Sequence, residues 1–180
     1  MKILFLGPPG AGKGTQAEVV ATRLGIAHVS TGDMFRALDP ATELGARVKG
    51  IMESGELVPD EVVIEMLEAR ISEPDAADGY ILDGFPRTRP QAEALDAHLG
   101  EDGLDHVVVL GVPDEELVTR ILARGRADDT EAAVRTRLAV YHAETAPLIA
   151  FYEPRGIVHH IDGVGPVPEV TDRIVAVLGA

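Results

Sequence analysis

The segment Gly7-Pro8-Pro9-Gly10-Ala11-Gly12-Lys13-Gly14-Thr15 sets one lysine among glycines directly after the apolar run Ile3-Leu4-Phe5-Leu6. Such a strand-to-turn passage can curl successive N–H groups inward around a polyphosphate, with Lys13 as a mobile positive charge. The helix that follows presents its first N–H groups and its positive dipole end to the same anion. The general P-loop pattern has Ser or Thr directly after the lysine, whereas here Gly14 intervenes before Thr15. A second concentration of chemistry is Asp83-Gly84-Phe85-Pro86-Arg87, after Tyr80-Ile81-Leu82. A carboxylate at a strand end, such as Asp83, can accept from magnesium-bound water, which suits a hard cation that keeps several waters. Capping a turn or helix is its plain structural alternative. Asp33 fits a cap for a helix starting near Met34, and Asp128 with Glu131 fits a capping box, with Asp129 beside it. The six histidines are scattered, and neighbours such as His159 and His160 on a strand face opposite sides. They point to no metal site.

The 180-residue chain carries 30 acidic and 16 basic residues, a formal net charge of −14. That balance disfavours nucleic acid and anionic membranes as partners. A loop built to bind phosphate in so acidic a chain requires cations concentrated locally, and arginine, whose planar fork suits phosphate oxygens, supplies most of them. With zero cysteines, disulfides and thiolate metal sites are excluded. Residues 1–6 are too short for a signal-peptide core, and no stretch approaches the ~20 apolar residues of a membrane span. A soluble cytoplasmic protein of one domain is expected.

Short apolar runs at 2–6, 27–30, 80–83, 105–112 and 157–161 predict strands. Helical spacing of apolar residues predicts helices over 13–24, 60–72, 88–99, 114–124, 131–153 and 167–178. Alternation of this kind predicts an α/β fold, a parallel sheet covered on both faces. Ligands of such sheets sit beyond the carboxyl ends of the strands. The residues there are 7–15, Ser30-Thr31-Gly32-Asp33, 83–87, Val112-Pro113 and 162–165, mostly Gly, Asp, Thr and Arg. Two segments interrupt the alternation, 31–58 and the charged loop 124–130, and both are expected to be mobile flaps on one core.

Four motifs, in order and spacing, resemble the adenylate kinase family: 7–16 with its Gly-Lys-Gly-Thr-Gln ending, Ser30-Thr31-Gly32-Asp33-Met34-Phe35-Arg36, 83–87, and Thr145-Ala146-Pro147-Leu148. The resemblance covers the whole chain and matches the short-lid bacterial form, without the longer zinc-carrying insertion of some relatives, so no structural zinc is expected. It implies a P-loop three-layer fold with a five-stranded parallel sheet. It also implies a core of 1–29, 59–123 and 131–180, an AMP-binding flap at 30–58 and a lid at 124–130. It implies the reaction ATP + AMP ⇌ 2 ADP with Mg²⁺ on the phosphates.

By this resemblance Gly10, Ala11, Gly12, Lys13, Gly14 and Thr15 hold ATP, and Lys13 and Arg124 face its phosphates. Arg120 lies against the ATP adenine, with Gly165 or the nearby Gly163 as a backbone contact. Arg36 and Arg87 hold the AMP phosphate, and Arg126 and Arg137 close over the transferring group. Thr31, Gly84, Phe85, Pro86 and Gln91 belong to the AMP site, and the backbone of Glu56, Leu57 and Val58 walls its adenine. The alternative for each arginine is pairing with surface carboxylates. The two substrates bring roughly six negative charges at neutral pH, and Lys13, Arg36, Arg87, Arg124, Arg126 and Arg137 can supply six positive ones.

Glutamine can offer adenine both a donor and an acceptor. In the related UMP/CMP kinases alanine typically stands at the Thr31 position and asparagine at that of Gln91, so this pair favours AMP. The chain contains no asparagine, which removes the Asn-Lys-x-Asp element of guanine-specific GTPases. A UMP/CMP-type kinase and a nucleotide-sensing module without catalysis are the rival readings. Expected partners are ATP, AMP and ADP, neither nucleic acid nor membrane, and a monomer.

Overall fold

The computed structural model describes residues 1–126 and 128–179; Ala127, within the expected lid, and Ala180 lie outside the described residues. The strands are β1 Lys2–Leu6, β2 Ala27–Ser30, β3 Tyr80–Asp83, β4 His106–Gly111 and β5 Val158–Asp162. They pair parallel throughout in the order β2-β3-β1-β4-β5. The helices are α1 Lys13–Leu24, α2 Thr31–Arg36, α3 Glu43–Ser54, α4 Asp60–Ile71, α5 Arg89–Leu99, α6 Asp114–Arg124, α7 Glu131–Val140, α8 Pro147–Tyr152 and α9 Val167–Leu178.

The strand runs are almost continuously apolar because both faces are covered. Leu4, Leu82, Val29, Val107 and Val109 turn to one side, where they meet Leu67 of α4, Leu95 of α5 and Tyr152 of α8. Their neighbours Ile3, Phe5, Ile81, Val108 and Leu110 turn to the other and meet Ala17 and Val20 of α1, Leu117 of α6 and Ile174 of α9. Each fully buried aliphatic side chain contributes ~1.5–3 kcal/mol, so a core of Val, Leu and Ile needs few aromatics. Among the described residues no helix is long and apolar enough to cross a membrane.

β1 lies at the centre of the sheet, with β3 on one side and β4 on the other. Its following loop therefore emerges where successive crossovers part to opposite sides, the place where such sheets bind ligands. Two glycines let that loop pack down. Gly7 has φ 143°, and a Cβ there would stand 2.6 Å from the carbonyl oxygen of Leu110 on β4. Gly10 has φ 85°, and its Cβ would meet Ile121 Cγ1 at 2.8 Å and the Leu117 oxygen at 2.9 Å on α6.

The expected strands agree with the structure to within a residue at either end, as do most of the helices. The helix expected over 131–153 does not run through. It divides into α7, a π-helical turn Tyr141–Thr145, and α8. The cause is Pro147, which cannot donate to residue 143 and whose ring crowds the carbonyl there. The Ala146 N–H reaches back instead to Tyr141 O at 2.8 Å.

The segment expected as a flap contains α2 and α3, and α3 packs against α7. A Cβ on Gly55, at φ 83°, would stand 2.6 Å from the carbonyl oxygen of Ala133. The helix expected near Met34 begins at Thr31, and its cap is Ser30, whose side chain accepts from the Asp33 N–H. Asp33 is thus not the cap. It lies within α2 and pairs with Arg36 at 2.5 Å.

Candidate functional site

Above the carboxyl ends of β1, β2 and β3 lies a cavity of about 250 Å³. Gly10, Gly12, Lys13, Gly14 and Thr15 line it from the loop and the first turn of α1. Arg36 comes from α2, and Glu56, Leu57 and Val58 from the chain between α3 and α4. Asp83, Gly84, Arg87 and Gln91 come from the end of β3 and the start of α5, Arg124 from the end of α6, Arg126 from just after it, and Arg137 from α7. The six cations singled out in the sequence thus border one cavity in an otherwise anionic molecule.

The remaining predicted residues stand apart from the main cavity wall. Ala11, Thr31 and Phe85 are buried, and Thr31 Oγ1 lies 3.5 Å from the carbonyl oxygen of Asp83. Pro86 lines a smaller cavity of about 80 Å³ that shares Lys13, Arg87 and Arg137 with the first. Arg120 donates to the Gly163 carbonyl at 3.3 Å and pairs with Glu116 at 2.9 Å. Gly163 packs against the end of β4, since a Cβ there would lie 2.8 Å from Val112 Cγ2 and 3.1 Å from Gly111 O, with Ala11 O of the loop at 3.5 Å. Gly165 has Arg173 and Glu169 as its neighbours instead.

The electrostatics show cations gathered without enough anions. Lys13 Nζ donates to the carbonyls of Gly7 (2.7 Å) and Pro8 (3.0 Å). Burial, with Arg87 and Arg124 close by, lowers its pKa to about 8, against the opposing pull of Asp83. Arg87 is likewise shifted down by burial and by Arg137 and Arg36, and Arg126 by burial and by Arg124 and Arg36. Three neighbouring cations whose charged forms are penalised in this way favour the arrival of a polyanion.

Asp83 is held below the usual carboxylate range. Burial raises its pKa, but nearby His28, Lys13 and Arg87 outweigh that effect. Its Oδ2 reaches over the start of α1, 3.2 Å from where a Cβ on Gly14 would be, with His28 Nε2 at 3.7 Å.

A family model described as "Adenylate kinase" matches residues 5–157. The chain is 52% identical to an adenylate kinase of Mycobacteroides abscessus over 182 residues, 99% of each chain. It is 50% identical to an adenylate kinase of Nocardia farcinica over 182 residues, again 99% of each. With one of Stenotrophomonas maltophilia it shares 50% identity over 187 residues, 100% of each.

The chain belongs to the adenylate kinase family.

Within this adenylate kinase framework the segment expected as a lid departs from the sequence-based expectation. Asp128 and Glu131 do not form a capping box; Thr130 caps α7, accepting from the Ala133 N–H at 3.2 Å. The two aspartates bind arginines instead. Asp129, its carboxylate 1% exposed, takes Arg124 through both oxygens (2.7 and 3.0 Å), Arg137 at 3.0 Å and the Arg126 N–H at 3.1 Å. Arg137 also pairs with Asp128 and donates to the Met52 carbonyl of α3 at 3.1 Å. Asp128, Asp129, α7 and α3 are thereby tied through one guanidinium. The signal in the sequence was a pair of acids just after Arg124 and Arg126, but sequence proximity to Thr130 obscured it.

Asp129→Asn keeps the shape and removes the charge that orients Arg124 and Arg137. Misplacing such groups by about 1 Å can cost ~10²-fold, so kcat/KM is expected to fall roughly tenfold to a hundredfold in a steady-state assay. An unchanged value would show those pairs to be idle.

Thr145 also escaped the sequence reading as a positioning group. The π turn before Pro147 brings its hydroxyl to the Arg87 carbonyl at 2.9 Å.

Proposed function

We propose that this protein transfers the γ-phosphoryl group of MgATP to AMP, reversibly, giving two ADP. The observation that carries this reading is the convergence of Lys13, Arg36, Arg87, Arg124, Arg126 and Arg137 on one cavity beside the glycine-rich loop, in a chain of the adenylate kinase family.

The acceptor is a phosphate oxygen already ionised near neutral pH, since the second phosphate pKa is ~6. No general base is needed. The work left to the protein is in-line positioning and charge neutralisation. Lys13, the N–H groups of the loop and Arg124 hold the ATP phosphates. Arg36 and Arg87 hold the phosphate of AMP, and Arg126 and Arg137 face the group in transit. Arg120 lies against the ATP base, with the Gly163–Gly165 backbone beside it, and Gln91 faces the base of AMP.

The donor set suits Mg²⁺: the Asp83 carboxylate stands over the loop-to-helix junction and Thr15 lines the same cavity. Among the described residues no three His, Cys, Asp or Glu converge as a cage, so Asp83 would hold the ion through water, and nucleotide oxygens would supply direct ligands. When bound, the ion would neutralise phosphate charge.

Water competes for the phosphoryl group, so the site must shut before transfer. Segments 30–58 and 124–130 are the elements that close, because Arg36 and Arg126 reside on them. The deciding experiment is a coupled assay with ATP, Mg²⁺ and each nucleoside monophosphate in turn. AMP is expected to exceed UMP, CMP and GMP by about 10²-fold or more in kcat/KM. Preference for UMP or CMP would move the chain to that branch, and ATP binding without ADP formation would overturn the enzymatic reading.

A further inference from the structure

Gln91 is 2% exposed and borders the main cavity, yet one side of its amide is already engaged. Its Nε2 donates to Asp60 Oδ1 at 2.6 Å, and its Oε1 accepts the Arg87 backbone N–H at 2.8 Å. Asp60, the first residue of α4, also receives the Thr88 hydroxyl, at 3.1 and 3.2 Å to its two oxygens. A carboxylate can only accept and a backbone N–H can only donate. Together they dictate which end of the amide is nitrogen and which is oxygen. The flipped amide would set NH₂ against N–H and carbonyl oxygen against carboxylate, losing both bonds. One N–H and one lone pair of Gln91 remain for a ligand.

A 6-amino purine shows an N–H donor at its 6-position beside the acceptor N1. A 6-oxo purine shows an acceptor oxygen and an N1–H donor in the same two places. An amide free to flip could therefore serve both bases in one pose, whereas an amide of fixed polarity serves only one. We propose that Asp60 is a positioning residue for base selectivity: by locking the polarity of the Gln91 amide it admits AMP and rejects monophosphates with a 6-oxo purine. The inference deepens the function proposed above, and rests on Gln91 facing the acceptor base.

The test compares kcat/KM for AMP and for IMP, which differs from AMP only in the 6-oxo group and its N1–H, in the full-length protein and two variants. In Asp60→Asn the side chain keeps its shape but can turn either oxygen or nitrogen toward Gln91. The AMP-to-IMP ratio is expected to fall at least fivefold, chiefly through a rise with IMP. It should fall less than in Gln91→Leu, because the Arg87 N–H still favours the native polarity. The ratio does not depend on the folded fraction, so a loss of stability alone leaves it unmoved. A ratio unchanged in Asp60→Asn but reduced in Gln91→Leu would overturn the role of Asp60 while leaving Gln91 as the base reader. A ratio unchanged in both would remove Gln91 from base recognition, and the inference with it.

Discussion

Replacing Arg87 by alanine is expected to lower turnover by about 10³-fold and leave the protein folded. The two halves of this expectation come from different parts of the residue. The side chain anchors its Nε to the Gly84 carbonyl at 2.7 Å, which leaves the terminal nitrogens of the fork facing the cavity, with no ion pair among the described residues. A half-buried guanidinium anchored this way is preorganised for a phosphate, and its loss removes charge where the transferring group is most anionic. The backbone, by contrast, accepts the Thr145 hydroxyl and donates to Gln91. Alanine keeps both bonds. Removing a cation that burial, Arg137 and Arg36 disfavour against the pull of Asp83 gives up little stability, so the thermal midpoint should hold or rise. A coupled assay read beside a thermal melt checks both halves. Unchanged turnover would contradict the assigned role, and a collapsed melt would make Arg87 a structural residue instead.

How much of this was legible in the sequence depends on how local each signal is. Residues 7–15 could be read directly, because strand, turn and helix start lie within one short stretch and glycine has few reasons to recur there. The same holds for β3 and Asp83, whose apolar run and terminal acid adjoin. The pairing of Asp129 with Arg124 and Arg137 was not legible, although all three lie within 14 positions of one another. A carboxylate beside a helix start fits two jobs, and only the competing cap, Thr130, decides between them. The division of the 131–153 helix had a visible cause in Pro147. Its consequence, a wider turn rather than a simple end, follows from packing that brings Thr145 to Arg87, and such a contact spans 58 positions. Gln91 shows the same limit. Its residue type spoke for reading a base, but that Asp60 fixes its polarity required α4 and α5 to lie side by side.

Lys13 links the site to pH in a direction that can be worked out. Lys13→Met is expected to cost about 10²- to 10³-fold in kcat/KM, the scale for losing one preorganised donor at a developing charge. The wild-type residue makes a second test possible. In the nucleotide-free protein its pKa is lowered from 10.5 to about 8, first by burial and then by Arg87 and Arg124. A polyphosphate seated on it favours the ammonium and raises that pKa. The contribution of this residue to ATP affinity is therefore constant below about pH 8 and falls above it, by up to tenfold per pH unit. Folding stability runs the other way. Between about 8 and 10.5 the unfolded chain retains a proton that the folded chain has released, so this residue makes stability rise with pH across that window. Calorimetry of ATP binding in buffers of different ionisation enthalpy should record uptake of about half a proton at pH 8, where the phosphates of ATP are already ionised. Lys13→Arg, which carries its charge throughout this range, should abolish the uptake even where it weakens binding. Binding at pH 8 without proton uptake would show that Lys13 is fully charged before the nucleotide arrives, and the crowding of Arg87 and Arg124 around it would then not be the force that draws the polyphosphate in.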